Sequence, residues 1–229
     1  MIQDKKLFSI GLALIAAFLV VLYAIFSPLF AGGRNALDYL DSTFNSISKN
    51  ASYFIPGVMD KAKKFQGTEV SVAIKATDAG QAARLEKIMG VATAKVVVDG
   101  TKLVVSGDLG RLIDAALSDA DLMFKNDGAT VSGKYDLDEK RVLYDWHQAF
   151  STMTKDLNRQ GKFQEGKILR DVQTKALEPA YNYYGIEAIS MSSMMWVAMG
   201  SLIGYVIYTV WYGFAILFLF EGWGLKLNH

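Results

Sequence analysis

From Ala188 to Phe220 the chain runs thirty-three residues without an Asp, Glu, Lys or Arg, and Leu7 to Phe30 is a second uncharged run of twenty-four. About 20 apolar residues in a helix cross the ~30 Å hydrocarbon layer of a bilayer. The two runs therefore predict transmembrane helices over 7–31 and 192–221, with short tails at 1–6 and 222–229. The second run is longer than a crossing needs. Its helix is expected to begin near Ser192 or Ser193, where a hydroxyl can cap an orphan backbone N–H. The first run starts behind Lys5 and Lys6, as a secretory signal does, but its core exceeds the roughly 7–15 residues of a cleavable signal. A cut after Ala31 would also place Leu29 at position −3, so a retained helix is expected.

Between the runs the pattern changes period. In 32–67, a helix is expected from Asn35, with Leu37, Leu40, Phe44, Ile47, Ala51 and Phe54 alternating three and four apart. That is a coiled-coil-like seam of about two and a half heptads, open to packing on its own domain or on another subunit. Pro56-Gly57 ends or kinks it. Thr68 to Thr77 alternates as a half-buried strand does, with Val70, Val72 and Ile74 on one face. Asp78 caps a helix through Ala82, Leu85, Ile88 and Met89, which stops at Gly90. Ala94–Val98 and Leu103–Ser106 flank Asp99-Gly100 as a hairpin. Asp108 caps a further helix carrying Leu112, Ile113, Ala116, Leu117 and Leu122, and after Asn126-Asp127-Gly128 a last strand is expected over Ala129 to Tyr135.

Strand, helix, strand, strand, helix, strand is the βαββαβ order of a ferredoxin-like α+β domain, here over 68–136. The part from Lys95 to Tyr135, with VVVDGTKLVVSGDL, also resembles a BON domain, a small periplasmic module. In 137–191, a helix from Leu137 to Leu157 presents Leu143, Trp146, Phe150, Met153 and Leu157 as one stripe. Gln160-Gly161 turns the chain into a helix from Lys162 to about Leu177, giving an αα-hairpin ended by Pro179. Tyr181, Tyr183 and Tyr184 are expected at a membrane interface, and Gly185 to Met191 leads back to the second span.

Charge adds an orientation. Gly32 to Glu187 holds 21 basic and 21 acidic residues, a balance with no footprint for nucleic acid or for anionic lipid. Lys5, Lys6 and Lys226 lie just outside the spans, and positive charge stays on the cytoplasmic side. Both tails are therefore expected inside, and the middle in the periplasm of a bacterial inner membrane.

Candidate chemistry is sparse. The chain has no Cys and two His, which excludes disulfides, thiolate metal sites and multi-histidine centres. His147 lies beside Asp145 and Trp146, but neighbours in a helix do not face each other. Asp119, Asp121 and Asp127 lack the glycine and glutamate of a calcium loop. SGDLG over 106–110 lacks the ending of a phosphate loop, and Asn50-Ala51-Ser52 is a sequon only for a eukaryotic secretory route. No catalytic residue, metal site or cofactor is expected.

The spans carry more. Gly200 and Gly204 form GxxxG, and Ala13 and Ala17 a small-xxx-small pair, the spacing that lets helices approach closely. Tyr205, Tyr208, Trp211 and Tyr212 put polar-tipped aromatics in the second span, where each polar tip needs a partner. No charge inside a span supports an ion path. The expectation is a two-pass membrane protein with an extracytoplasmic α+β domain. Its expected partners are the bilayer and other integral membrane subunits or copies of itself. Its expected role is that of a non-catalytic accessory subunit. The two-span plan, outer α/β base and GxxxG in the last span also resemble polysaccharide chain-length regulators, which implies a homo-oligomeric scaffold. A ligand-sensing module is the third expectation.

Overall fold

The computed structural model describes residues 2–30 and 32–225. Ala31, Lys226 and His229, which the sequence reading uses, lie outside the described residues. In chain order come α1 (Lys5–Phe26), α2 (Ala36–Ala51), α3 (Ile55–Ala62), a 3-10 turn (Lys63–Phe65), β1 (Glu69–Lys75), α4 (Ala79–Val91), β2 (Lys95–Asp99) and β3 (Lys102–Asp108). Then follow α5 (Leu109–Phe124), α6 (Gly128–Tyr135), α7 (Glu139–Arg159), α8 (Phe163–Val172), a π-helical turn (Gln173–Leu177), α9 (Glu178–Asn182) and α10 (Met191–Trp223). They form two compact units, Met1–Ile47 with Ile189–His229, and Ser48–Ala188.

The second unit is built on a three-stranded sheet in the order β1-β3-β2, each neighbouring pair antiparallel. β1 alternates as its sequence does, burying Val70, Val72 and Ile74. Asp78 and Asp108 cap α4 and α5 with their carboxylates. The β2–β3 loop is Gly100-Thr101, and Gly100 takes its first position at φ +61, where a side chain would be strained. The buried sheet face meets Leu85, Ile88 and Met89 of α4 and Leu112, Ile113 and Leu117 of α5 in one core, which continues into the α7 stripe and Ile168, Leu169 and Val172 of α8.

Three expectations are corrected. The strand over Ala129 to Tyr135 is α6, so the fourth strand of a ferredoxin-like sheet is not formed. Asp127 caps this helix, accepting from Thr130 N (3.3 Å) and Thr130 Oγ1 (2.8 Å). Val131 and Tyr135, four apart, share its buried face. The β1 edge where that strand would pair is occupied by α7 instead. Ala73 N donates to Asp156 Oδ2 (3.0 Å), and Gln160 Nε2 donates to Ser71 O (3.0 Å). Two side chains thereby do what a strand's backbone would have done.

Pro179 does not end the hairpin. The π-helical turn carries the chain into α9, and Pro179 falls in the first turn of α9, where a missing N–H costs least. Of the tyrosines after it, Tyr181 is exposed, while Tyr183 and Tyr184 pack at the folded core's margin. Tyr183 meets Phe124 edge-on at 6.4 Å, and Tyr184 Oη donates to Glu139 (3.0 Å).

The first unit contains α1 and α10, two helices long and apolar enough to cross a membrane. They lie antiparallel, with Gln3 N and Asp4 N donating to Gly222 O (3.0 and 3.1 Å). α10 is capped by Ser190 rather than Ser192 or Ser193. Ile189 N donates to Ser46 O on α2 (3.1 Å), and Phe30 stacks on Tyr39 at 5.5 Å.

Candidate functional site: the outer face of the apolar helix pair

α10 meets α1 through positions repeating every seven residues: Ser201, Tyr208, Ala215 and Gly222, with Trp211 between. A period of 3.5 keeps one seam on a partner helix. Large and small side chains alternate along it. Phe18 stacks on Tyr208 (4.3 Å), meets Trp211 edge-on (6.4 Å) and touches Tyr212 (5.1 Å). Gly11 faces Ala215 and Leu219, and an added Cβ would lie 2.7 Å from Leu219 N. A Cβ on Gly222 would lie 2.7 Å from Phe8 Cα. The close approach within the chain is made at Gly11, Ala215 and Gly222.

The small pairs singled out in the sequence lie elsewhere. Ala13 and Ala17 are exposed. Gly200 and Gly204 are exposed too, with open space where a Cβ would stand. Tyr205 is 69% exposed, which leaves this side of α10 bare, whereas Tyr208 and Trp211 sit in the seam. Tyr208 Oη and Trp211 Nε1 are buried without a hydrogen-bond partner among the described residues.

Gly204 opens a cavity of about 450 Å³, walled by Leu22, Ile25 and Phe26 of α1, Leu37 and Leu40 of α2, and Tyr205 and Tyr208 of α10. α2 extends this apolar surface. Leu37 and Phe44 of the heptad stripe are exposed, and Leu40 and Ile47 half-buried. The buried side of α2 is polar instead: Thr43, Ser46 and Lys49. The stripe is thus only partly covered within the chain. Lys49 explains part of the inversion. Its ammonium donates to Asn126 Oδ1 (2.9 Å) and Ile186 O (2.6 Å), while Asn126 Nδ2 donates to Ile186 O (3.0 Å) and Glu187 (3.1 Å). Asn126 holds φ +65, which Asn tolerates. Burial draws the Lys49 pKa down, and Glu187 partly offsets this.

No protein-family model, curated protein or solved structure matches this chain. Its reading rests on its own residues.

The remaining candidates resolve into structural roles. Asp145 is buried and accepts from Arg84 Nε (2.5 Å) and Gln81 Nε2 (3.0 Å), so it does not orient His147. His147 Nε2 pairs with Glu178 at 3.0 Å. Asp119 is fully buried, accepting from Tyr135 Oη (2.7 Å), Trp146 Nε1 (2.9 Å) and Lys134 Nζ (2.9 Å). Asp121 accepts from Tyr53 Oη and Lys125 Nζ, both at 2.6 Å. Apart from Lys125, four residues on from Asp121, these partners are 15 to 68 residues away in sequence, beyond any local motif. Among the described residues, no cluster of acidic and His side chains could hold a metal.

Proposed function

We propose that the chain is a two-pass inner-membrane protein with its middle unit in the periplasm. In this reading it is a non-catalytic accessory subunit that docks on transmembrane helices of a larger complex. The observation that carries this is an open stretch of the α10 seam. Gly204 stands seven residues before Trp211, on the side that meets α1, yet Gly200 and Gly204 keep open space where a Cβ would stand, and the apolar cavity beside Gly204 has room to admit a further helix. Small residues and close backbones drive helix association in lipid, where burial of apolar surface offers nothing. Membrane crossing is supported by exposure, since only 6% of the apolar window in each helix is buried, unlike the core helix of a soluble fold. α10 is also far from the N-terminus, where signals occur. The antiparallel pair carries Lys5 and Lys6 at the same end as Gly222, consistent with both ends facing the cytoplasm. The sheet order, with β3 between β1 and β2, supports a split β-α-β unit of ferredoxin-like kin in which α7 covers the edge of the missing strand.

The test is native purification by a C-terminal tag, followed by mass and subunit identification. Other membrane proteins should co-purify in fixed ratio. Gly204→Leu should reduce their recovery by about tenfold or more, an effect of about 1.4 kcal/mol. Gly213→Leu, nine residues on and so on the opposite side of a helix of 3.6 residues per turn, should not. Recovery unchanged by Gly204→Leu would refute docking at this face.

A homo-oligomeric scaffold is the second reading, favoured by the heptad stripe on α2 that the chain leaves exposed. Integer multiples of the chain's own mass, dissociated by Phe44→Glu, would establish it.

A further inference from the structure

The outer seam of the hairpin formed by α7 and the α8–π-turn–α9 run holds a second cavity, of about 420 Å³. Ligand pockets begin at about 300 Å³. α7 contributes His147, Ser151, Thr154, Lys155 and Asn158, which share one face of the helix by spacing. Arg170, Gln173, Thr174 and Glu178 line the other wall. We propose that this seam binds a small ligand through an oxyanion group, a carboxylate or a phosphate.

Three observations carry it. The first is uncommitted charge. Besides His147, the cavity lining holds two cations, Lys155 of α7 and Arg170 of α8. Lys155 and Arg170 make no ion pair among the described residues. The single acid of the cavity, Glu178, already faces His147 Nε2 at 3.0 Å. The cavity thus has two free cations and an acid that is occupied. Arg in particular presents a planar fork that matches carboxylate and phosphate oxygens.

The second is an unused hydroxyl. Thr152 and Thr174, on the same two helices, return their hydroxyls to the carbonyls of Gln148 (3.1 Å) and Arg170 (3.0 Å), four residues back. Thr154 does not; its Oγ1 is buried without a partner. A buried polar group left unpaired is costly, and a ligand oxygen would pair with this one only once a side-chain rotation turned it into the cavity.

The third is the π-helical turn at Gln173–Leu177, which borders the cavity. One extra residue in a helical turn is itself unfavourable and recurs at functional sites. Here Gln173 lies in this turn, and its amide donates to the carbonyl of His147 (2.9 Å), tying the two walls together. The short side chains Ser151, Thr154 and Thr174 leave the space between the cationic walls open.

The chain offers a direct probe, because His147 is its only histidine besides His229. The full-length protein in detergent micelles, purified without a histidine tag, is titrated with inorganic phosphate and separately with succinate. Each runs to about 20 mM at ionic strength held constant with chloride, and the ring proton resonances of His147 are followed. A saturable shift with either anion is expected; phosphate alone or succinate alone identifies the oxyanion class. Arg170→Gln and Lys155→Gln should each weaken binding about tenfold. Lys95→Gln, on an exposed position of β2, should leave binding unchanged. All three positions are exposed, so circular dichroism should be the same in each variant. Absence of a saturable shift with both anions overturns the proposal. Equal affinity in Arg170→Gln, Lys155→Gln and the unsubstituted chain overturns it too.

Discussion

Asp119 has no solvent contact and three donors, each from a different residue of α6 or α7. A buried carboxylate is tolerable only when its charge is matched and its lone pairs are filled. Lys134 matches the charge, while Tyr135 and Trp146 fill the remaining sites. Removing the carboxylate strands two aromatic donors in the core and an ammonium at its margin. Asp119→Ala should therefore cost about 3–5 kcal/mol. Asp119→Asn should cost less, since an amide oxygen can still accept from Tyr135. Urea unfolding in detergent, followed by circular dichroism, measures both; an Ala variant within about 1 kcal/mol of the parent would mean that water replaces the carboxylate.

Tyr135 adds a pH dependence whose sign follows from the same contact. Burial, and then the Asp119 charge and hydrogen bond, push its pKa well above the ordinary 10.0. An unfolded Tyr135 ionises near 10, while the folded one keeps its proton. Above that pH the unfolded state binds fewer protons than the native state, so stability falls as pH rises. The contribution is complete below pH 10 and lost above it. Tyr53, raised by burial and by Asp121, acts in the same direction. An alkaline titration of phenolate absorbance should show the Tyr135 step only as the fold is lost. An ionisation near pH 10 in a chain still folded by circular dichroism would contradict this.

At the scale of elements, the apolar pair depends on absent side chains. Gly222 and Gly11 admit backbone or side-chain atoms of the facing helix at distances a Cβ would forbid. Gly222→Leu should force α1 and α10 apart near Phe8, whereas Gly200→Leu, pointing into open space, should not. Spin labels on Gln3→Cys and Leu225→Cys, in a chain without natural cysteine, report the separation at that end. A short, narrow distance distribution is expected in the parent and in Gly200→Leu, and a longer, broader one in Gly222→Leu. Identical distributions in all three would show that the pair is held elsewhere. α2 makes the complementary point. An amphipathic helix ordinarily buries its apolar side; this one buries Thr43, Ser46 and Lys49 and keeps Leu37 and Phe44 outside. Lys49 lends that polar side a specific function, clasping the segment at Ile186 to Asn126.

At the scale of the molecule, the two units differ in what they expose. One, Ser48–Ala188, is a helical and sheet domain with a continuous core from α3 to α9 and nearly balanced charge, 20 basic and 19 acidic residues. The other is an antiparallel pair of apolar helices whose circumference is largely bare. In the proposed reading, lipid covers most of that circumference and a partner helix covers the rest. The Gly204→Leu and Gly213→Leu comparison separates those two coverings, since a lipid-facing residue accepts Leu without loss.

Local pattern by itself determined the long apolar helices, the β1 alternation, the hairpin at Gly100, the Asp78 and Asp108 caps, and the stripe of α7. Each depends on residues within a few positions of one another, so period and capping chemistry suffice. Ala129 to Tyr135 was not decided that way. Its seven residues suit strand or helix, and what selects the helix is distant: Asp119 waiting for Tyr135, and α7 already holding the β1 edge through Asp156 and Gln160. The same holds for the glycines. GxxxG is a spacing, and spacing names no partner; the fold turned Gly11 and Gly222 inward and left Gly200 and Gly204 outside. Likewise Arg170 came to line one cavity with Thr154 and Lys155 only when the hairpin closed. Rotation of a helix about its axis is set by what packs against it, and only the tertiary structure contains that information.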